Sequence, residues 1–328
     1  MLPWPSRAAG WKLRALGALV AGLVAAAPGL AVAPAGVAAA VRPRHVLLWE
    51  VAASDPPGAK LYLLGAMHVG RAQIVRFDPV IEEAFERSDV LAIEAHVAEA
   101  DERAFQQFML ARGTLEGGAT LRHCLPQPLH AALQRTIAAQ RSIAATYEPL
   151  EPWLVALMLS AEEHARAGYR VEFGMESYFL RRAGQKRIEE LEGALRQIEV
   201  LDALPPRLQN AMLVETLQGV GRAESRAREI EALWEAGDAE RLAAFLFDPR
   251  SSAARRSLWE RMYFARNRAM AARLEAGLRE PGVRFAVVGA GHLVGGRGIP
   301  ALLARAAHLV RQVEASSPSG LSAQLEPH

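Results

Sequence analysis

Two short apolar runs, each ending in Gly-x-x-His, constrain this chain more than any other feature. Residues 284–298 read RFAVVGAGHLVGGRG, and the run rich in Val and Phe stops at Gly289 and His292. Residues 60–70 read KLYLLGAMHVG and repeat the design, stopping at Gly65 and His68. A run this short and this apolar suits a strand buried on both faces of a parallel sheet, and the glycines beyond it allow close backbone approach. Ligands of open α/β sheets bind outside the carboxyl ends of the strands, so two histidines delivered there can share one pocket although they lie far apart in sequence.

The remaining pattern fits a mixed, partly parallel central sheet flanked by helices. Residues 45–52 and 60–64 are strand-like and are joined by SDPPGA, whose Pro-Pro-Gly excludes helix and ladder alike, so an opening hairpin is expected. Asp78-Pro79 starts an amphipathic helix with Val80, Ile81, Ala84 and Phe85 at helical spacing. VLAIEAH follows as a third apolar run whose end carries Glu94 and His96, which share a face if the strand reaches that far. Strand, helix, strand predicts a crossover connection. Over about 100–170 the strand signal gives way to helical spacing at 101–112, 128–141 and 152–167, which predicts a helical insertion packed over the sheet. Gly174-Met175-Glu176 opens a short helix, and 185–191 reads as an edge strand. Helices are expected over 194–202, 206–221, 222–234 and 251–278, the last carrying Arg266 and Asn267 among Leu258, Met262, Met270 and Leu274. A short helix over 299–307 and a final strand over 308–313 close a single domain spanning 41–314, with a loose tail over 315–328.

Composition narrows the function classes. A chain of 328 residues, 51% hydrophobic and 23% charged, is globular in character and large enough for one big core or two modest ones. Its 38 basic and 36 acidic side chains nearly balance, and three of the basic ones (Arg7, Lys12, Arg14) fall in the first forty residues, so no basic surface argues for nucleic acid. That opening segment has a positive start, an apolar stretch from about Ala15 to Ala27 and small residues after it, the layout of a secretory signal peptide. Export to the periplasm or medium is therefore expected, with cleavage after Ala40, because cleavage after Ala33 would place Pro34 first. The alternative is an uncleaved anchor, which Pro28 and Pro34 interrupt; nothing after residue 40 has the length and apolarity of a spanning helix. Cys124 is the one cysteine, which excludes a disulfide framework and a thiolate zinc site, and it reads as a packed small residue.

His68, Glu94 and His292 each close an apolar run. Two imidazoles and a carboxylate can bind a divalent metal (manganese, cobalt or zinc) and leave positions open for water and substrate, which is hydrolase chemistry. A metal-free version has a histidine or Glu176 as general base and a second histidine as acid. Glu94 follows Leu-Ala-Ile in a run that reads as buried, and a buried acid needs a partner, either arginine or metal. His45, His96, His123, His130, His164 and His308 lack this context and read as surface or packing residues. Gly289, Gly291 and Gly295 resemble a dinucleotide fingerprint, but their spacing is Gly-x-Gly-x-x-x-Gly, and a nicotinamide cofactor is not expected.

Taken in order, LWEV at 48–51, LYLLGAMHVG at 61–70, AIE at 92–94, GME at 174–176, ELEGALRQI at 190–198, Arg266-Asn267 and VVGAGHLVGGRGIPALL at 287–303 resemble the TraB/GumN family, to which the animal Tiki proteases are related. The resemblance implies an α/β fold similar to the erythromycin-esterase and haem-binding ChaN-like proteins. It also implies a common site in which His68, Glu94 and His292 are metal or catalytic residues, with Glu176 catalytic or supporting. Glu192, Gln197, Arg266 and Asn267 would orient substrate. Three departures stand out: Ala66 replaces the usual threonine of Gly-Thr-x-His, Glu176 stands where aspartate is common, and Gly193 where a threonine often follows Leu-Glu. The expected activity is metal-dependent hydrolysis of a peptide or amide bond. The alternative is a non-catalytic protein that sequesters a peptide, a small ligand or haem in the same cleft.

Overall fold

A computed structural model describes residues 45–53, 58–72, 76–97 and 101–316. The expected signal segment and most of the expected tail lie outside them. Six strands form one mixed sheet: β1 (His45–Ala52), β2 (Lys60–Ala66), β3 (Val90–Ile93), β4 (Arg187–Glu190), β5 (Val283–Gly289) and β6 (Leu309–Glu314), in the order β4-β3-β5-β2-β1-β6. β4, β3, β5 and β2 run parallel, while β1 is antiparallel to both β2 and β6. The opening hairpin, the central position of the 284–289 run and the edge strand near 187 are as expected.

Register decides where the site falls. Ala66 pairs with Gly289, and Ile93 with both Val287 and Glu190, so four parallel strands end along one edge of the sheet. The residues that leave that edge are His68, Glu94, Glu192 and the segment to His292. β3 stops at Ile93, one residue before Glu94, so the alternation expected through His96 does not continue: Glu94 turns inward while His96 is exposed.

Two apolar cores flank this edge. The first joins the sheet to the helices Pro79–Glu86, Met175–Arg181 and Ile299–Arg305, with Phe77, Phe85, Phe179 and Phe285 stacked at centroid separations of 4.9–5.5 Å. The second is wholly helical and joins the insertion (Glu102–Arg112, Gln127–Ala139, Pro152–Arg166) to Ala194–Asp202, Pro206–Gly219 and the start of the helix after Ser252. The helical body therefore draws in residues well beyond 170.

The expected helix over 251–278 is interrupted: Ala253–Trp259 and Ala265–Gly277 are joined by a π turn, Glu260–Phe264. Such turns insert a residue and re-aim the side chains that follow, and they concentrate at functional sites. Leu258, Trp259 and Met262 pack in the helical core, Met270 and Leu274 in the sheet core, and Arg266 and Asn267 lie buried between them. A helix at Ala239–Leu246, capped by Asp238, was not expected from the sequence. Cys124 is exposed rather than packed. Ser316, expected in the loose tail, is held by the carboxylate of Asp78, whose Oδ1 accepts from its Oγ at 2.7 Å.

Candidate functional site

All eight sequence-derived site residues come together at the carboxyl edge of the parallel strands. Glu94 is the hub, and it is almost fully buried. Its Oε1 accepts from the Gly289 backbone N–H (2.6 Å), and its Oε2 accepts from Arg266 Nη2 (2.7 Å) and Gln197 Nε2 (3.4 Å). Arg266 also grips Glu192 through Nε (3.0 Å to both oxygens) and Nη2 (2.5 Å), while its Nη1 donates to the Met262 carbonyl at 2.9 Å. One guanidinium thus bridges two carboxylates, which answers the expectation that a buried Glu94 requires a cation. Burial works against both charges, yet the Arg266 guanidinium, with His68 and the Gly289 N–H, holds Glu94 well below the usual carboxylate range.

The two imidazoles flank Glu94 symmetrically. His68 Nε2 stands 3.7 Å from its Oε1 and His292 Nε2 3.7 Å from its Oε2. Each ring is fixed from behind through Nδ1: His68 by Glu176 Oε2 at 2.7 Å, His292 by Asn267 Oδ1 at 2.5 Å. Asn267 Nδ2 donates to the Arg297 carbonyl at 2.8 Å, so its Oδ1 is the acceptor and the proton of His292 lies on Nδ1. Neither Nε2 has a hydrogen-bond partner, and both are buried.

The electrostatics differ on the two sides. Burial disfavours charge on His68, but the adjoining Glu176 carboxylate and then Glu94 overcome it and raise its pKa to about 9. Burial lowers the pKa of His292 to about 3, with Arg266 and His68 adding to the effect, so this ring is a neutral base.

Local sequence explains the placement of Glu176. Met175 N donates to the Met67 carbonyl at 3.0 Å, which brings the helix start against the loop carrying His68. A Cβ on Gly174 would lie 2.3 Å from the His68 carbonyl oxygen, so only glycine lets the two backbones meet. Gly193, at the third departure from the family motif, has φ 96° and donates its N–H to the Glu94 carbonyl, a conformation that a β-branched threonine adopts poorly.

The model of the TraB/PrgY/gumN family matches residues 47–312, which enclose every residue of this site. The chain belongs to the TraB/PrgY/gumN family. Two relatives of similar closeness are the uncharacterized protein YbaP of Escherichia coli (strain K12) and that of Shigella flexneri. Each is 25% identical over 268 residues, covering 81% of this chain and 96% of the relative. No solved structure matches the chain, so its fold is described from its own topology and the likeness to erythromycin-esterase and ChaN-like proteins has no structural counterpart here.

The donor chemistry at the site of this TraB/PrgY/gumN protein suits a metal. The two unpartnered Nε2 atoms can offer lone pairs to an ion, His68 only after losing the proton that Glu176 and Glu94 favour, and each has a carboxylate or amide behind its Nδ1, the usual support of a metal-binding histidine. A Cβ on Gly289 would sit 2.5 Å from His68 Nε2 and 3.2 Å from Glu94 Oε1, so the absence of a side chain keeps a gap between them. Among the described residues no three His, Cys, Asp or Glu side chains are gathered tightly enough to form a finished cage, and Glu94 is shared with Arg266.

A cavity of about 160 Å³ opens onto His68 and the Gly289–Gly291 backbone. Its walls are Val69, Ile230, Leu242, Leu246 and Tyr263, with Arg226, Glu163, Glu231 and His164 among the polar members. Glu94 and His292 are buried outside the cavity lining, and the Tyr263 ring packs on His292 with centroids 5.0 Å apart. Sequence reasoning missed this cavity. His164 was read as surface or packing, although burial lowers its pKa and it faces the cavity. Tyr263 carried no sequence signal beyond its place on an apolar stripe.

Proposed function

We propose that the protein is an exported metal-dependent hydrolase acting on a peptide or amide bond at the His68–Glu94–His292 centre. The observation that supports this reading is the pair of buried imidazoles, each anchored at Nδ1 and unpartnered at Nε2, facing opposite oxygens of one carboxylate. His68 and His292 would hold the ion through Nε2, with Glu94 supplying a carboxylate oxygen. A divalent ion bound there supplies Lewis acidity and lowers the pKa of water. Glu176 and Asn267 keep the ring nitrogens aimed inward. Arg266 keeps Glu94 ionised, and the backbone at 289–291 borders the cavity through which a substrate would approach.

Elemental analysis of the purified, tag-free protein tests the reading. Near-stoichiometric transition metal is expected in the wild type and none in His68→Ala/His292→Ala. No metal in either, even after reconstitution with manganese, cobalt and zinc, would refute it.

A second reading is favoured by one specific feature. Glu94 and His292 are buried and do not line the cavity, as suits a protein that sequesters a peptide or small ligand without turnover. Stoichiometric capture without product would distinguish it. The cavity is far below the several hundred Å³ of cofactor sites and gives no support to haem.

A further inference from the structure

The cavity beside His68 is graded from a polar rim to an apolar depth. Its charged lining residues, Glu163, Arg226 and Glu231, are only half-buried, whereas Ala66, Leu242, Leu246, Tyr263 and Ala290 are buried along with His68. The rim charges are answered within the protein. Glu163 accepts from Gln140, Arg166 and the Gly221 N–H, and Glu231 is engaged with Tyr169 and Arg71. Arg226 packs over the Phe245 ring, 5.0 Å from its centroid, and feels the carboxylates of Glu229 and Glu215. A charged group pushed into the depth would lose its water against apolar walls. Small side chains hold this space open: Ala66 ends β2, Ala290 follows β5, and Ala223 and Ala227 lie four apart on one face of the helix Ala223–Glu235.

We infer that this cavity is a side-chain subsite for one uncharged, apolar residue of leucine to phenylalanine size in a peptide presented to His68. The size agrees: an engineered apolar cavity of about 150 Å³ holds one benzene ring, so about 160 Å³ admits one such side chain. The position agrees as well. His68 and the Gly289–Gly291 backbone border the same space, so the seated side chain belongs to a residue flanking the bond at the proposed centre. The substrate class is then a peptide with an apolar residue beside the cleaved bond. This assignment rests on the hydrolase reading for the reaction but not for the binding, and the two fail separately.

The test is binding rather than turnover. N-acetyl-L-leucinamide and the near-isosteric N-acetyl-L-asparaginamide are titrated into the full protein and followed by NMR shifts. The leucine compound is expected to bind at least about tenfold more tightly, the scale of burying one leucine side chain. Ala227→Leu fills the cavity and is expected to abolish that preference. Ile230→Ala widens it and is expected to raise the affinity for N-acetyl-L-tryptophanamide relative to the leucine compound, a gain that a misfolded protein cannot show. Equal binding of the leucine and asparagine compounds, or an undiminished preference in Ala227→Leu, would overturn the subsite whatever the metal analysis shows. Benzene bound where the leucine compound is refused would also overturn it, leaving a cavity for free apolar molecules. Conversely, a protein that takes up no metal but still prefers the leucine compound would retain the subsite and lose the hydrolase.

Discussion

Gly289→Ala probes the centre with one methyl group. Gly289 has φ −50° and ψ 133°, which alanine adopts freely, so the backbone raises no objection and the whole effect falls on the gap between His68 and Glu94. The new Cβ would lie 2.5 Å from His68 Nε2, whereas ordinary non-bonded contacts begin near about 3.5 Å, so the imidazole must retreat by about 1 Å. It is held on its other nitrogen by the 2.7 Å bond to Glu176, which that retreat would disturb. Overpacking of this kind costs about 1–3 kcal/mol, and replacing glycine returns about 0.4–1 kcal/mol through the unfolded chain. The expected net loss is about 1–2 kcal/mol by urea unfolding, accompanied by a displaced His68 titration in NMR and loss of bound metal. Gly296→Ala is the control, since a Cβ there meets nothing within 4 Å, and it should be neutral or slightly stabilising. A Gly289→Ala protein as stable as the wild type, with an unmoved His68 titration, would refute the close approach on which the site description depends.

Two further predictions concern pH. His68 is raised from 6.5 to about 9, against its burial, chiefly by Glu176, so its imidazolium stabilises the metal-free fold fully below pH 6.5 and less as pH rises through 9. Glu176→Gln should lower the His68 pKa and flatten the stability profile in that window, as followed by NMR titration and urea midpoints at pH 6 and 9.5; an unchanged pKa would remove Glu176 from its supporting role. Glu215 is raised from 4.5 to about 7 by burial, so the folded state holds the extra proton between those values and stability falls as pH rises across them, by at most roughly 3 kcal/mol. Glu215→Gln should abolish that slope, and a slope that persists would mean the acid is not buried as described.

Much of this architecture was legible because its signals are local. The apolar runs at β2, β3 and β5, the Asp78-Pro79 helix start and the edge strand near Arg187 follow from periodicity and punctuation over a few residues. Other features exceeded that reach. The π turn at Glu260–Phe264 leaves the apolar spacing of its helix intact, so nothing in the pattern marks it. The exposure of Cys124 depends on what its short helix packs against, and the inward turn of Glu94 on the chain leaving the strand at Ile93 instead of continuing it through His96.

The sequence alone determined that two histidines and an acid would be delivered from strand ends, because a run of buried β residues followed by glycine prescribes a strand and its exit. Tertiary structure decided which groups met there. Parallel register set Ala66 beside Gly289 and brought four strand ends to one edge. A helix 172 residues away in sequence then supplied Arg266 to Glu94. The assignment of Glu176 to His68 and of Asn267 to His292, and with it the inward aim of both Nε2 atoms, belongs to that same level. Hydrogen bonds and desolvation depend on distances between residues remote along the chain, and a local pattern carries no record of those distances.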